Sequence, residues 1–133
     1  MDEDLELIRQ RKQEALAARI AALRQGVIRV NDLNFTNMIQ EHPLLVVDFS
    51  AEWCGPCRHL APVFEGLAAE LAGTVSFATC DIDESRGTAS SFDIEVVPTI
   101  VFFSHGRAVG RLTGAVSGDV LRAHVRKVFE LSE

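Results

Sequence analysis

Leu44-Leu45-Val46-Val47-Asp48-Phe49-Ser50 is an almost continuous apolar run. A run of this kind fits a central strand covered on both faces, not one alternating between core and water. Such a strand needs helices above and below it, so the fold class narrows to α/β. The rest of the chain from Val27 agrees, because helix and strand patterns alternate along it. Val27-Ile28-Arg29-Val30 reads as a short strand, and Asn31 or Asp32 can cap a helix running to about Gln40. A second helix is expected from Cys54 to about Leu71, kinked at Pro62 and closed by Gly73. Val75 to Ile82 reads as another central strand, and Ser85 to Phe92 as a short helix. Thr99–Ser104 and Arg107–Thr113 form strands around His105-Gly106, a hairpin signal. Ser117 or Asp119 opens a last amphipathic helix, with Val120, Leu121, Val125, Val128 and Phe129 on its inner side.

Ahead of this pattern, about Asp2 to Gln25 reads as one amphipathic helix, with Leu5, Ile8, Ala15, Leu16, Ile20 and Leu23 at helical spacings. Acids fill its start and bases its later part, which complements the helix dipole. This segment is electrically neutral, so the net charge of −6 resides in the remainder. The shift in composition near Gly26 divides the chain into an appendage, residues 1–26, and a domain, residues 27–133. The negative balance gives a nucleic-acid or anionic-membrane role no electrostatic support. No apolar run reaches the length of a membrane span. An acidic start, Met1-Asp2-Glu3-Asp4, and three cysteines favour a cytoplasmic, reducing setting over a secreted disulfide scaffold.

In that setting a Cys-x-x-Cys pair is catalytic or metal-binding, and Trp53-Cys54-Gly55-Pro56-Cys57 follows the central strand directly. The spacing puts both thiols on the first turn of a helix. Unpaired backbone N–H groups and the positive end of the dipole favour thiolate there. Pro56 suits a first turn, and Gly55 tolerates the restriction that proline places on its neighbour. A metal site would use Cys54, Cys57 and His59 with the distant Cys80, but the second closely spaced ligand pair of a structural zinc site is missing. Asp48 is the other informative residue. A carboxylate within a buried strand is costly unless paired, hydrogen-bonded or protonated, and burial raises its pKa toward neutrality.

Several motifs together resemble the thioredoxin family. Val47-Asp48-Phe49, Ala51-Glu52-Trp53-Cys54-Gly55-Pro56-Cys57, Ala61-Pro62, Asp81-Ile82-Asp83, Val97-Pro98-Thr99 and Gly114-Ala115 stand in that family's order and spacing. The resemblance spans roughly Val27 to Glu133. It implies a central mixed β-sheet with helices on both faces and an activity in reducing disulfides of other proteins. By resemblance Cys54 is the attacking thiol with a lowered pKa, and Cys57, less exposed, resolves the mixed disulfide. Asp48 then helps deprotonate Cys57. Pro98 matches a cis-proline opposite the active site. Trp53, Gly55, Pro56, Val97, Pro98, Gly114 and Ala115 would form the substrate-binding surface. The resemblance further implies no cofactor beyond the Cys54–Cys57 disulfide, thioredoxin reductase as electron donor and disulfide-containing proteins as targets. A monomer is the favoured state. Two departures stand out. Thr79 replaces a lysine common beneath the acid, and Ser50 an aromatic common behind the active-site loop. The alternatives are a dedicated redox partner, or a non-enzymatic binding module, recruited through the leading helix.

Overall fold

The computed structural model describes residues 4–14 and 26–131. Residues 4–14 are helical (α1) and solvent-exposed throughout, Leu5 and Ile8 included. The expected continuation of that helix to Gln25 lies outside the described residues. The elements that follow are β1 (Val27–Val30), α2 (Phe35–Glu41), β2 (Leu44–Ser50), α3 (Gly55–Glu70), β3 (Ser76–Asp81), α4 (Arg86–Ser91), β4 (Thr99–Ser104), β5 (Arg107–Thr113) and α5 (Gly118–Val128). The sheet order is β1-β3-β2-β4-β5. β1, β3 and β2 pair in parallel, while β4 and β5 are antiparallel to their neighbours. β2 is therefore the middle strand, as its unbroken apolar run requires, and Leu45 to Phe49 are all buried.

Alternation along the strands divides the core between two layers. Val46, Phe77, Ile100 and Phe102 face α3 and α5, meeting Leu60, Phe64, Leu67, Leu121 and Val125. Phe64 stands edge-on to Phe77 with ring centroids 5.1 Å apart, the geometry that ring quadrupoles favour. Leu45, Val47, Phe49, Ala78, Val101 and Phe103 face the other way, toward Phe35 of α2 and Phe92 at the end of α4. The β4–β5 turn is as tight as its dipeptide suggests. His105 and Gly106 both have positive φ, 51° and 82°, which matches the twist of the flanking strands.

Two local expectations need correction. Asn31 does begin the turn into α2, its Oδ1 accepting from the N–H groups of Leu33 and Asn34. Asp32 instead reaches across to α4, accepting from Thr88 N–H and Thr88 Oγ1, both at 2.7 Å, and from Gly87 N–H at 3.3 Å. These bonds, with the Thr88 hydroxyl foremost, hold its carboxyl below the usual range. The α4 N-terminus is thus capped from 55 residues away in sequence, while its own Ser85 has a buried Oγ with no partner among the described residues. Secondly, Val120 does not face inward. It is 48% exposed, whereas Leu121 and Val125, four residues apart on one face, are fully buried. α3 runs from Gly55 to Glu70 with Pro62 inside it, close to the expected span. The carbonyl of Arg58 simply loses the donor that proline lacks.

Candidate active site

β2 ends at Ser50, and α3 begins five residues later with Cys54 as its N-cap. Pro56 occupies the first turn of the helix, where the missing N–H costs nothing. The N–H of Cys57 donates to Cys54 Sγ at 3.2 Å, so one of the helix's unpaired donors is directed at that sulfur. Cys54 and Cys57 are joined as a disulfide, with Cα atoms 5.3 Å apart. Their pocket is completed by Ala51, Ile82 and Val97. On the side of Val97 the backbone carbonyl lies 3.7 Å from Cys54 Sγ, and the Val97–Pro98 bond is cis.

The two cysteines do not differ in exposure as the family resemblance implies. Cys54 is 4% exposed and Cys57 5%. The cause is local: Ala51, at the end of the strand, and Val97, across the loop, cover the N-cap sulfur as fully as the helix covers its partner. Around this covered pair the surface is open and apolar. Trp53 is 67% exposed and Val96 54%, while Val97 and Gly114 are half-buried, Ala115 exposed and Pro98 buried. Gly114 follows β5 with φ +87°, a left-handed conformation only glycine adopts without strain. Its N–H donates to the Pro98 carbonyl at 2.8 Å, fixing the two turns together. A Cβ on Gly55 would meet nothing within 4 Å, so that glycine is not demanded by space.

Asp83 has a part that the sequence reading did not give it. The indole N–H of Trp53 donates to Asp83 Oδ2 at 2.8 Å, and Asp83 is held in turn by its own N–H donating to Asp81 Oδ1 at 2.8 Å. The signal available was the placement of Asp83 just past the end of β3, beside the loop that carries Trp53.

Asp48 shares the α3 face of β2 with Val46, two residues before it. It is 4% exposed, and its Oδ1 has no hydrogen-bond partner among the described residues. Burial alone pushes its carboxyl up to about 7. The adjoining position on β3 is Thr79, and beside that on β1 stands Arg29. Cys80 points into the opposite layer, buried with Phe49 and Val101, and burial raises its thiol's pKa. It therefore cannot join Cys54 and Cys57 as a fourth metal ligand. Among the described residues no helix is long and apolar enough to cross a membrane.

Comparison with known proteins agrees with this geometry. The family model described as Thioredoxin matches residues 26–127. Thioredoxin of Alicyclobacillus acidocaldarius is 40% identical over 105 residues, covering 79% of this chain and all of the relative. Thioredoxin of Mycobacterium bovis is 38% identical over 93 residues, 69% of this chain and 80% of that one. Among solved structures, a single-residue variant of thioredoxin from Halobacterium salinarum superposes with a TM-score of 0.72 at 31% identity, covering 80% of this chain and 93% of the other. Oxidised mitochondrial thioredoxin 3 from Saccharomyces cerevisiae gives 0.71 at 30% identity, over 79% and 98%. The chain belongs to the thioredoxin family and is a thiol–disulfide oxidoreductase acting on disulfide-containing substrates.

Proposed function

We propose that Cys54 is the attacking sulfur and Cys57 the resolving one. In the reduced chain the Cys54 thiolate attacks a substrate disulfide, forming a mixed disulfide and releasing one substrate sulfur as thiolate. Cys57, once deprotonated, attacks Cys54 Sγ. The Cys54–Cys57 bond closes, the second substrate thiolate leaves, and two electrons have passed to the substrate. Asp48 takes the Cys57 proton, since a buried carboxyl with a pKa of about 7 exchanges a proton readily at neutral pH. The observation that carries this assignment is the N–H of Cys57 directed at Cys54 Sγ, which stabilises negative charge on that sulfur and not on the other.

Trp53, Gly55, Pro56, Val97, Pro98, Gly114 and Ala115 form the docking surface on this reading. The half-buried Val97 offers its backbone to an extended substrate segment, and the exposed Trp53 gives apolar contact. The two sulfurs carry the electrons without a further cofactor, and thioredoxin reductase recharges them. One chain supplies every group the reaction uses, so it works as a monomer. A cytoplasmic setting suits both the chemistry and the free thiol of Cys80. A second role attaches to α1, whose Leu5, Leu7 and Ile8 are each at least half exposed; this apolar surface could recruit a dedicated target. The assay is reduction of insulin disulfides with dithiothreitol as donor. Cys54→Ser and Cys57→Ser are both expected to abolish turnover, and turnover surviving either substitution would overturn the assignment.

A further inference from the structure

α1 exposes its side chains to solvent along its whole described length, residues 4–14. Leu5 and Ile8 stand three positions apart, so they share a face, and they are 56% and 50% exposed. Lys12 follows at the next step of the same three-and-four spacing, which makes a short seam of the kind two helices bury against each other. Asp4 and Arg11, seven positions apart, border that seam on one side, and Arg9 borders it on the other. The charges are sorted along the axis. Asp2, Glu3, Asp4 and Glu6 come first in the sequence, and Arg9, Arg11 and Lys12 come next with no acid among them. Asp4, Glu6, Arg9, Arg11 and Lys12 make no ion pair among the described residues, where both ion pairs belong to Arg122. A strip with an acidic half, a basic half and an apolar seam is complementary to itself when one copy is turned end for end.

We propose that this face of α1 pairs with α1 of a second copy of the chain, the two helices running antiparallel in a weak, reversible homodimer. Charge decides both the occupant and the direction. Antiparallel pairing sets the acidic half of each helix beside the basic half of the other, and Asp4 meets Arg11 of the partner subunit twice, once on each side of the two-fold axis. A parallel pair would set acid beside acid and align the two helix dipoles in the same sense. Leu5 packs against Ile8 of the partner subunit around the axis, and Lys12 reaches the partner's acidic start. Residue i then meets j and j meets i, as a two-fold interface requires. The described helix is only about 16 Å long. Its contact is therefore far smaller than the roughly 1,200 Å² of a stable complex, which puts the dissociation constant at roughly 0.1–1 mM. Each domain keeps every group of its own site, so the catalytic unit is still one chain, while pairing holds two sites in one particle. The inference concerns α1 alone and stands apart from the roles given to Cys54 and Cys57.

The test is sedimentation equilibrium of the full-length chain at low salt, from about 10 μM to about 1 mM, a range that brackets the expected constant. The chain is kept oxidised, so that the active-site cysteines cannot link two copies. The mean mass of the wild type should climb with concentration toward twice that of one chain. Asp4→Lys sets like charges together on both sides of the axis and should weaken association by about tenfold or more. Adding Arg11→Glu to Asp4→Lys makes the facing charges opposite again, and association should return to within about threefold of the wild type. Adding Arg9→Glu to Asp4→Lys gives the same composition and net charge but leaves the repulsion from Arg11 in place, so this variant should stay monomeric. Helix content by circular dichroism and insulin turnover per chain should be the same in all of these proteins. A wild-type chain that is monomeric at about 1 mM would overturn the proposal and leave a different protein as the occupant. Undiminished association in Asp4→Lys would overturn it too. So would equal association of the two double variants, or rescue by Arg9→Glu in place of Arg11→Glu, the result a parallel pair gives.

Discussion

Replacing Asp48 by Asn should make the stability of the oxidised chain much less dependent on pH. The carboxyl titrates at about 7 in the folded chain, against 3.8 for an unperturbed group, and burial is the cause. The folded state therefore keeps a proton that the unfolded state has released between those two values. Stability must fall as pH rises across that window and level off above the folded pKa. A gap of about three units at about 1.4 kcal/mol each means that ionised Asp48 costs the fold about 4 kcal/mol. Between pH 5 and pH 8 the wild-type chain should lose about 3 kcal/mol of this, and Asp48→Asn should lose none of it. An amide leaves the partnerless site around Oδ1 imperfect too, but that penalty is the same at both pH values and cancels. Urea denaturation of the oxidised chain and its variant at pH 5 and pH 8 reads the difference directly. The disulfide keeps Cys57 from titrating during the measurement. A stability gap between variant and wild type that is the same at the two pH values would refute the reasoning.

Asp48→Asn should also slow insulin reduction by about tenfold or more at pH 7, with the gap closing in alkali as hydroxide takes over deprotonation of Cys57; a pH-rate profile matching the wild type would remove Asp48 from the reaction. Asp32→Ala should lower the melting temperature by several degrees through loss of the α4 cap. That difference should vanish in acid, because the Asp32 pKa is depressed and its contribution is lost as pH falls through it. Phe64→Ala, which empties a buried site against Phe77, should cost about 3–5 kcal/mol in the same denaturation experiment. Asp83→Ala frees the Trp53 indole, and the tryptophan emission maximum should shift while stability stays within about 1 kcal/mol.

What could be read from the sequence was what depends on short-range pattern. β2, β4 and β5 begin and end where the apolar runs and the His105-Gly106 turn place them. The cysteine pair lies at the first turn of α3 because Gly-Pro suits no other place on that helix so well. Asp48 announced its burial by interrupting an otherwise apolar strand. What could not be read depends on partners distant along the chain. Asp32 looked like a local cap, yet its acceptor capacity serves Thr88. Asp83 gained its indole partner, and Cys54 its cover from Val97, only when separate loops met. The Ser50 and Thr79 departures were visible as letters. That they open a shared cleft beside Cys57 required the register of β1, β3 and β2.

The most direct measurement of the central claim is the mass of the covalent species formed when each reduced single-cysteine variant meets a disulfide-bonded protein substrate. Cys57→Ser should accumulate a stable mixed disulfide through Cys54, and Cys54→Ser should accumulate none. An adduct through Cys57 in Cys54→Ser, equal to or exceeding that through Cys54, would contradict the account.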